Sequence, residues 1–250
     1  MKIHFLGTNG WFDSETGGTP CTLIDSEEAY IVLDAGSGLR KIDRYIKDKR
    51  KPIFLFLSHF HLDHVWGLHI LMKFDFQQGI TIVGQPGTKE NLERLLSKPF
   101  AAPLGMPRKK YKVDILELKE GMNDLGVFTI EARPLVHADP CFGYRFSIEG
   151  KKIAYCTDTG VCENFILLAK DADLLITECA WKERHESEWP HLDPESAAES
   201  AKKANAKRLA LMHFDAVNYP TILSRREAET KAKIIFQNTF ASEDGAEISL

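Results

Sequence analysis

The segment SHFHLDH at residues 58–64 decides how this sequence is interpreted. It follows the apolar run PIFLFL and places four potential metal ligands within six residues: His59, His61, Asp63 and His64. In an extended chain, His59 and His61 point to the same side and can meet at one cation, while Asp63 and His64 lie past the following turn. The segment therefore predicts ligands for two metal ions at the end of a buried strand. A solvated histidine-rich turn is the alternative.

Three further potential ligands each follow an apolar run later in the chain. His137 follows TIEARPLV, Asp158 follows KIAYCT, and His213 follows RLALM, so all three are predicted to lie at strand ends. Taken alone, each is more commonly a packed or surface side chain. Because all three are predicted at strand ends, as the first motif is, they favour one shared metal site. Histidine nitrogens and carboxylate oxygens suit zinc, manganese or iron, and zinc is our first choice.

The composition is that of an ordinary globular protein, with 44% apolar residues, 27% charged residues and a formal net charge of −4. This charge gives no electrostatic argument for nucleic acid as a partner. A length of 250 residues predicts one domain over residues 1–250. Because no apolar run reaches the length of a signal peptide or a membrane span, we expect a cytoplasmic protein without a membrane partner. A homodimer is left open.

Short runs rich in β-branched and aromatic residues predict strands along most of the chain. Turn residues at 25–27 and 149–151 predict hairpins, hence partly antiparallel sheets. Helices are predicted from the Asp193 cap to about Asn205, from Thr88 and from Ser224. This order of elements predicts an α/β (α+β) protein in which two sheets pack face to face and helices cover them.

The sequence resembles the metallo-β-lactamase superfamily, in which an HxHxDH motif is followed by a lone histidine, a bridging aspartate and a last histidine. All of these motif blocks occur here in that order. The resemblance implies a four-layer αββα sandwich with a dinuclear metal site along one edge of the sheets. It further implies three ligand groups: His59, His61 and His137 on the first metal, Asp63, His64 and His213 on the second, and Asp158 bridging both.

Other stretches resemble one branch of that superfamily. FLGTNG at residues 5–10, GGTPCTLI at 17–24 and VLDAGSGL at 32–39 are similar to ribonuclease Z, the tRNA 3′-end-processing endonuclease, and to related phosphodiesterases. In that branch, a glutamate in a strand after the bridging aspartate pairs with a histidine ahead of the last ligand. Glu178 and His191 fit this pattern, although a strand-end glutamate and a surface histidine remain the alternatives.

Together these residues predict a metal-dependent hydrolase that acts on ester bonds. Two cations about 4 Å apart lower the pKa of a shared water, so that a bridging hydroxide can attack. His191, oriented by Glu178, is predicted to protonate the leaving group. We expect Asp63, which is also a metal ligand, His191 and Glu178 to be the catalytic residues. Asp34 is predicted either to orient a ligand histidine or to be an ordinary turn residue.

The leading prediction is a phosphodiesterase acting on a nucleotide or an RNA-derived phosphodiester. A tRNA 3′-processing endonuclease and a thioester or lactone hydrolase are alternatives, because the same metal cage serves them all. Ribonuclease Z carries a long tRNA-gripping arm between the lone histidine and the bridging aspartate. Here only 21 positions separate His137 from Asp158, and a single hairpin is predicted to fill them. This favours a small substrate, such as a cyclic nucleotide or a short oligonucleotide, over precursor tRNA.

Two other features bear on substrate binding. Residues 94–112 contain six basic residues and no acidic one: Arg94, Lys98, Arg108, Lys109, Lys110 and Lys112. This segment is predicted to be either a solvated loop or a flap that meets a substrate phosphate. Trp11 and Phe12, in a glycine-rich loop, are predicted to line the mouth of the pocket or to be ordinary packing residues.

Overall fold

The computed structural model describes residues 1–103, 111–185 and 187–250. Within these ranges, two seven-stranded sheets and one two-stranded pair are present. The strands are, in chain order, β1 (Lys2–Gly7), β2 (Asn9–Gly10), β3 (Cys21–Asp25), β4 (Tyr30–Leu33), β5 (Ile53–Phe56), β6 (Ile80–Gly84), β7 (Val113–Glu117), β8 (Gly121–Asp124), β9 (Thr129–Leu135), β10 (Cys141–Ile148), β11 (Lys151–Cys156), β12 (Leu174–Glu178), β13 (Leu209–Met212), β14 (Phe214–Asp215), β15 (Thr239–Ala241) and β16 (Glu247–Ser249).

Helical segments connect several of these strands. The α-helices are α1 (Leu62–Val65), α2 (Thr88–Leu95), α3 (Glu163–Ala169), α4 (Pro194–Lys203) and α5 (Ile222–Ile235), and 3-10 helices span Ser37–Arg44 and Trp66–Lys73. The Asp193 side chain caps α4 by accepting from the backbone of Ser196, as the Asp-Pro-Glu sequence predicts. Helix α5 begins at Ile222, two residues before the predicted start at Ser224, and Thr221 is its cap.

The two large sheets have similar topologies. The first has the order β16-β1-β3-β4-β5-β6-β7 and the second β15-β13-β12-β11-β10-β9-β8. In the first sheet, strands β4 to β7 pair in parallel and the others are antiparallel. In the second, β11, β12, β13 and β15 are parallel. The predicted hairpins join β3 to β4 and β10 to β11, and both pairs are antiparallel as predicted.

Three hydrophobic clusters divide the molecule into layers. The central cluster lies between the two sheets and includes Phe5 and Phe56 from the first and Phe146 from the second. A second cluster packs α3, α4 and α5 against the outer face of the second sheet. A third packs the 3-10 helices and α2 against the outer face of the first sheet. The order of layers is therefore helix, sheet, sheet, helix, and the predicted αββα sandwich is confirmed.

Some local elements differ from the prediction. Helix α3, which is seven residues long, was not predicted, because its first residue follows Cys162 without a side-chain cap. Arg94 lies on α2 and pairs with Glu90, but Arg108, Lys109 and Lys110 of the basic segment lie outside the described residues. Among the helices of the described ranges, none is long and apolar enough to cross a membrane.

Candidate metal centre

The candidate metal centre lies where parallel strands of both sheets end. Asp34 follows β4 and His59 follows β5, whereas Asp158 follows β11 and His213 follows β13. Because the sheets face each other, these strand ends meet at one edge of the sandwich. Asp34, Asp158 and His213 have φ values of 57°, 51° and 52°. Such left-handed conformations are unfavourable for residues other than glycine and are concentrated at functional sites.

The first group of potential ligands consists of His59, His61, His137 and Asp158, with one donor atom of each lying within 4.8 Å of the others. The Nε2 atoms of His59 and His137 lie 3.7 and 3.9 Å from Oδ2 of Asp158. The His137 Nε2 atom is also 3.4 Å from His61 Nδ1. These distances leave a small space enclosed by nitrogen and oxygen donors.

The second group consists of Asp63, His64 and His213, again within 4.8 Å of one another. The Nε2 atoms of His64 and His213 lie 3.3 and 3.2 Å from the other Asp158 oxygen, Oδ1. One oxygen of Asp158 therefore faces each group. The structure thus brings together all seven residues that the sequence suggested as ligands.

The chemistry of the donor atoms fits divalent cations. His59 Nε2 is buried and lacks a hydrogen-bond partner among the described residues, and its distance to Asp158 is too long for a hydrogen bond. Burial, together with the neighbouring histidines, lowers the pKa of His59 and favours the neutral imidazole that binds metal. Burial opposes ionisation of Asp63, but His64 and His213 outweigh it and hold the pKa of this carboxyl well below its usual range. A cation would satisfy both kinds of donor.

Several other side chains orient the potential ligands. The Asp34 carboxylate contacts His64 Nδ1 at 2.8 Å and accepts from the hydroxyls of Ser58 at 2.9 Å and Tyr155 at 2.6 Å. The structure therefore favours an orienting position for Asp34 over that of a simple turn residue. His61 Nε2 lies 2.8 Å from Asp139, a contact that the sequence analysis missed. Its only signal was an acidic residue two positions after His137.

Glu178 and His191 form the predicted pair beside the cluster. His191 Nδ1 lies 2.8 and 2.9 Å from the two Glu178 oxygens, and the carboxylate also accepts from the backbone N–H of Leu192 at 3.2 Å. Burial opposes protonation of His191, but Glu178 outweighs it and raises the pKa to about 9. One donor atom each of His191, Asp158 and His213 also lie within 4.8 Å of one another. The imidazole therefore borders the candidate metal centre.

Two cavities open next to this cluster. One, of about 290 Å³, borders Asp63 and is lined by Trp11, Phe12, Asp13, Thr19, Ser37, Leu62 and Trp66. The prediction that Trp11 and Phe12 line a pocket is thus supported over the packing alternative. The other cavity, of about 300 Å³, borders His191 and includes Gly160, Val161, Arg184 and His185. Neither Trp66 nor Arg184 was predicted to line a cavity.

Comparison with known proteins defines the class of this fold and site. Residues 29–214 match the family described as "Beta-lactamase superfamily domain", and the chain belongs to this superfamily. It is 27% identical to ribonuclease Z of Sulfurisphaera tokodaii, with 97% of this chain and 96% of that protein covered. This relative supports the ribonuclease Z and phosphodiesterase branch. Family, relatives and the His/Asp cluster identify the chain as a metallo-hydrolase.

Solved structures show the same fold. The metallo-β-lactamase fold protein YhfI of Bacillus subtilis superposes with a TM-score of 0.81 at 22% identity, covering 99% of this chain and 98% of that one. The short form of human tRNase Z has a TM-score of 0.74 at 24% identity, with 100% and 99% covered.

Proposed function

We propose that this protein is a phosphodiesterase that hydrolyses a nucleotide or an RNA-derived phosphodiester. The observation that carries the proposal is the Glu178–His191 pair, hydrogen-bonded at 2.8 Å beside a cluster in which Asp158 faces two groups of ligands. A phosphodiester needs its anionic charge neutralised and its leaving alkoxide protonated. The cluster and the pair would meet these two needs separately.

The proposed metal ligands are those suggested by the sequence. His59, His61 and His137 would hold one cation, Asp63, His64 and His213 a second, and Asp158 both. Zinc is the first choice, with manganese or iron as alternatives, because the donor set contains only nitrogen and oxygen. When bound, two such cations supply neutralising charge and lower the pKa of water.

The proposed role of His191 is to hold a proton for the leaving group. Its Nδ1 faces Glu178, so the other ring nitrogen is free to face a substrate. Because Glu178 raises the pKa of His191 to about 9, the imidazole is protonated at neutral pH. Glu178 acts through His191 and has no separate contact with the substrate in this scheme. Asp63 would act as a ligand close to the reacting ester.

Two alternatives use the same ligands. A thioester hydrolase needs no strong proton donor, because a thiolate leaves without protonation, so the Glu178–His191 pair favours the phosphodiesterase over a thioester hydrolase. A lactone opens to an alkoxide that also needs a proton, and turnover of a lactone has to separate this alternative. A tRNA 3′-processing endonuclease is supported by the names of the relatives. The short hairpin of β10 and β11 argues against precursor tRNA as the substrate. This hairpin connects His137 to Asp158 without an inserted arm.

Metal analysis and turnover of three substrate classes test this proposal. The purified protein, loaded with zinc or manganese, is expected to hold two ions per chain and to hydrolyse bis(p-nitrophenyl) phosphate. An aryl thioester and a lactone are the comparison substrates. Faster turnover of either comparison substrate than of the phosphodiester, in protein with both metals bound, would reject the phosphodiesterase.

A single domain over residues 1–250, a cytoplasmic location and a homodimer remain predictions.

A further inference from the structure

The cavity beside Asp63 has walls of large apolar side chains that face solvent. Trp11 is 66% exposed, Trp66 56%, Leu62 59% and Phe12 42%. Two of the four are tryptophans, which are otherwise mostly buried in folded proteins. A contiguous apolar surface of this kind, directly next to a candidate metal ligand, indicates a binding site.

Trp11 is held in this exposed position at a conformational cost. Its φ is 70°, a left-handed value that is unfavourable for a large side chain. Its backbone N–H donates to Asp63 Oδ2 at 2.9 Å, and the side chain of Asn9 donates to the carbonyl of Phe12 at 3.0 Å. The strained loop thus ties the backbone of Trp11 to a proposed metal ligand and leaves most of the side chain exposed. Folding does not require this arrangement, whereas ligand binding would explain it.

One wall of the same cavity is polar. Asp13 Oδ1 accepts from the backbone N–H of Thr19 at 3.0 Å and from the hydroxyl of Ser37. Asp13 Oδ2 forms an ion pair with Arg40 at 3.6 Å, which is beyond hydrogen-bond distance, and half of the Asp13 side chain is exposed. This oxygen can accept from a ligand. Aromatic faces combined with an edge-on acceptor are the chemistry that recognises a nucleobase.

We propose that this cavity binds the base of the nucleoside that stays attached to the phosphate during hydrolysis. The proposal rests on the phosphodiesterase function and names its substrate class as nucleoside phosphodiesters. His191, the proposed proton donor, borders the other cavity, which shares no lining residue with this one. The leaving alcohol therefore lies at His191, and the retained nucleoside lies between Trp11 and Trp66.

Two esters with the same leaving group test this site. Thymidine 5′-(p-nitrophenyl phosphate) carries a base, and methyl p-nitrophenyl phosphate does not. The ratio of their kcat/KM values is expected to fall about tenfold in Trp66→Ala, because stacking on an aromatic ring is lost, and to be largely kept in Trp66→Phe. Phe12→Ala gives a second test of the same wall. The control is Met72→Ala, which changes an exposed residue of the same 3-10 helix that does not line the cavity.

Binding of thymidine 5′-monophosphate, measured by calorimetry beside inorganic phosphate, gives a readout that does not depend on turnover. We expect Trp66→Ala to weaken nucleotide binding about tenfold and to leave phosphate binding unchanged. If neither ester is hydrolysed but this selective weakening is seen, the phosphodiesterase fails and the base site stands. If both esters are hydrolysed, and Trp66→Ala changes neither the ratio of their kcat/KM values nor the affinity for the nucleotide, the base site is rejected. Dissociation of a dimer in Trp66→Ala with an unchanged ratio would reject it too, and would assign the surface to a second copy of the chain.

Discussion

At the scale of single residues, Asp158 holds the most constrained position in the cluster. Its two oxygens face different ligand groups, and its carboxylate is buried among histidines that keep its pKa well below the usual range even though burial opposes ionisation. The backbone carries a φ of 51° to direct the side chain there. No neighbouring carboxylate in the described structure has both groups within reach.

Asp158→Ala is expected to lower both metal content and turnover, because the proposed bridge between the two ions is removed. Metal content is measured by elemental analysis of the purified variant. Asp171→Ala is a matched control, since Asp171 has a φ of 53° but binds Asn205 far from the cluster. Two retained metals and full turnover in Asp158→Ala would contradict the bridging role.

His191→Ala is expected to keep the metals and to lower kcat by about 10²-fold, as is typical when a general acid is removed. An aryl leaving group of low pKa should restore much of the rate, because such a group departs without protonation. His185→Ala serves as the control, since this histidine lines the same cavity without contacting Glu178. Loss of metal in His191→Ala would instead make His191 a ligand.

The pH profile tests how Glu178 acts. This carboxylate raises the pKa of His191, so the protonated imidazole persists to a higher pH than in an isolated histidine. In Glu178→Gln the negative charge is absent and the pKa of His191 falls. The alkaline limb of the kcat profile should therefore move to lower pH, with the metal content unchanged. An unmoved limb would argue against a protonated His191 in the reaction.

At the scale of elements, helix α5 positions the loop that carries Trp11. Arg225 is fully buried, and its guanidinium donates to the hydroxyls of Thr8 at 2.9 Å and Thr16 at 2.8 Å and to the side chain of Asn9. It also lies 4.9 Å from the ring of Phe214, next to His213. The Arg225 side chain thus connects the loop that carries Trp11 with the segment that carries His213. The loop itself is close to the cluster, since a Cβ added at Gly10 would lie 2.6 Å from the His213 ring.

Arg225→Ala is expected to lower the free energy of unfolding by about 3 kcal/mol, because it leaves buried acceptors without a donor and creates a void. Arg226→Ala is the matched control. The Arg226 side chain is half exposed and pairs with Glu229 and Glu243. Its loss should therefore change the free energy of unfolding by less than about 1 kcal/mol. Denaturant unfolding measures both, and equal effects would contradict the structural role of Arg225.

At the scale of the whole molecule, charge and topology bear on the proposal of a small substrate. The formal net charge is −4, and the hairpin between the cluster residues His137 and Asp158 carries no arm. Binding of a short oligonucleotide is therefore expected to depend weakly on salt, because few phosphates are contacted. Titrations at several ionic strengths measure the slope. Tight, steeply salt-dependent binding of precursor tRNA with correct 3′ cleavage would favour the processing endonuclease.

Much of the fold and the composition of the site could be predicted from the sequence. Strands are recognised from short apolar runs, hairpins from turn residues at 25–27 and 149–151, and α4 from its Asp-Pro-Glu cap, because these signals are local. The motif around His59 brings four ligand candidates together within one segment. Helix α3 was not predicted because it lacks such a local signal. It has no capping side chain and is stabilised by packing against the second sheet.

Only the tertiary structure decides how distant residues meet. Asp63 and His213 are 150 positions apart and Asp34 and Tyr155 are 121 apart, yet both pairs are in contact. The side of Asp158 that faces each group and the Asp139 contact to His61 depend on how the two sheets pack. The exposed Trp11–Trp66 cavity depends on how separate loops of the first sheet meet. No local sequence pattern encodes these contacts, because they join segments that are far apart in the sequence. The sequence by itself thus determined which chemical groups are available, and the packing of the two sheets decided which of them face one another.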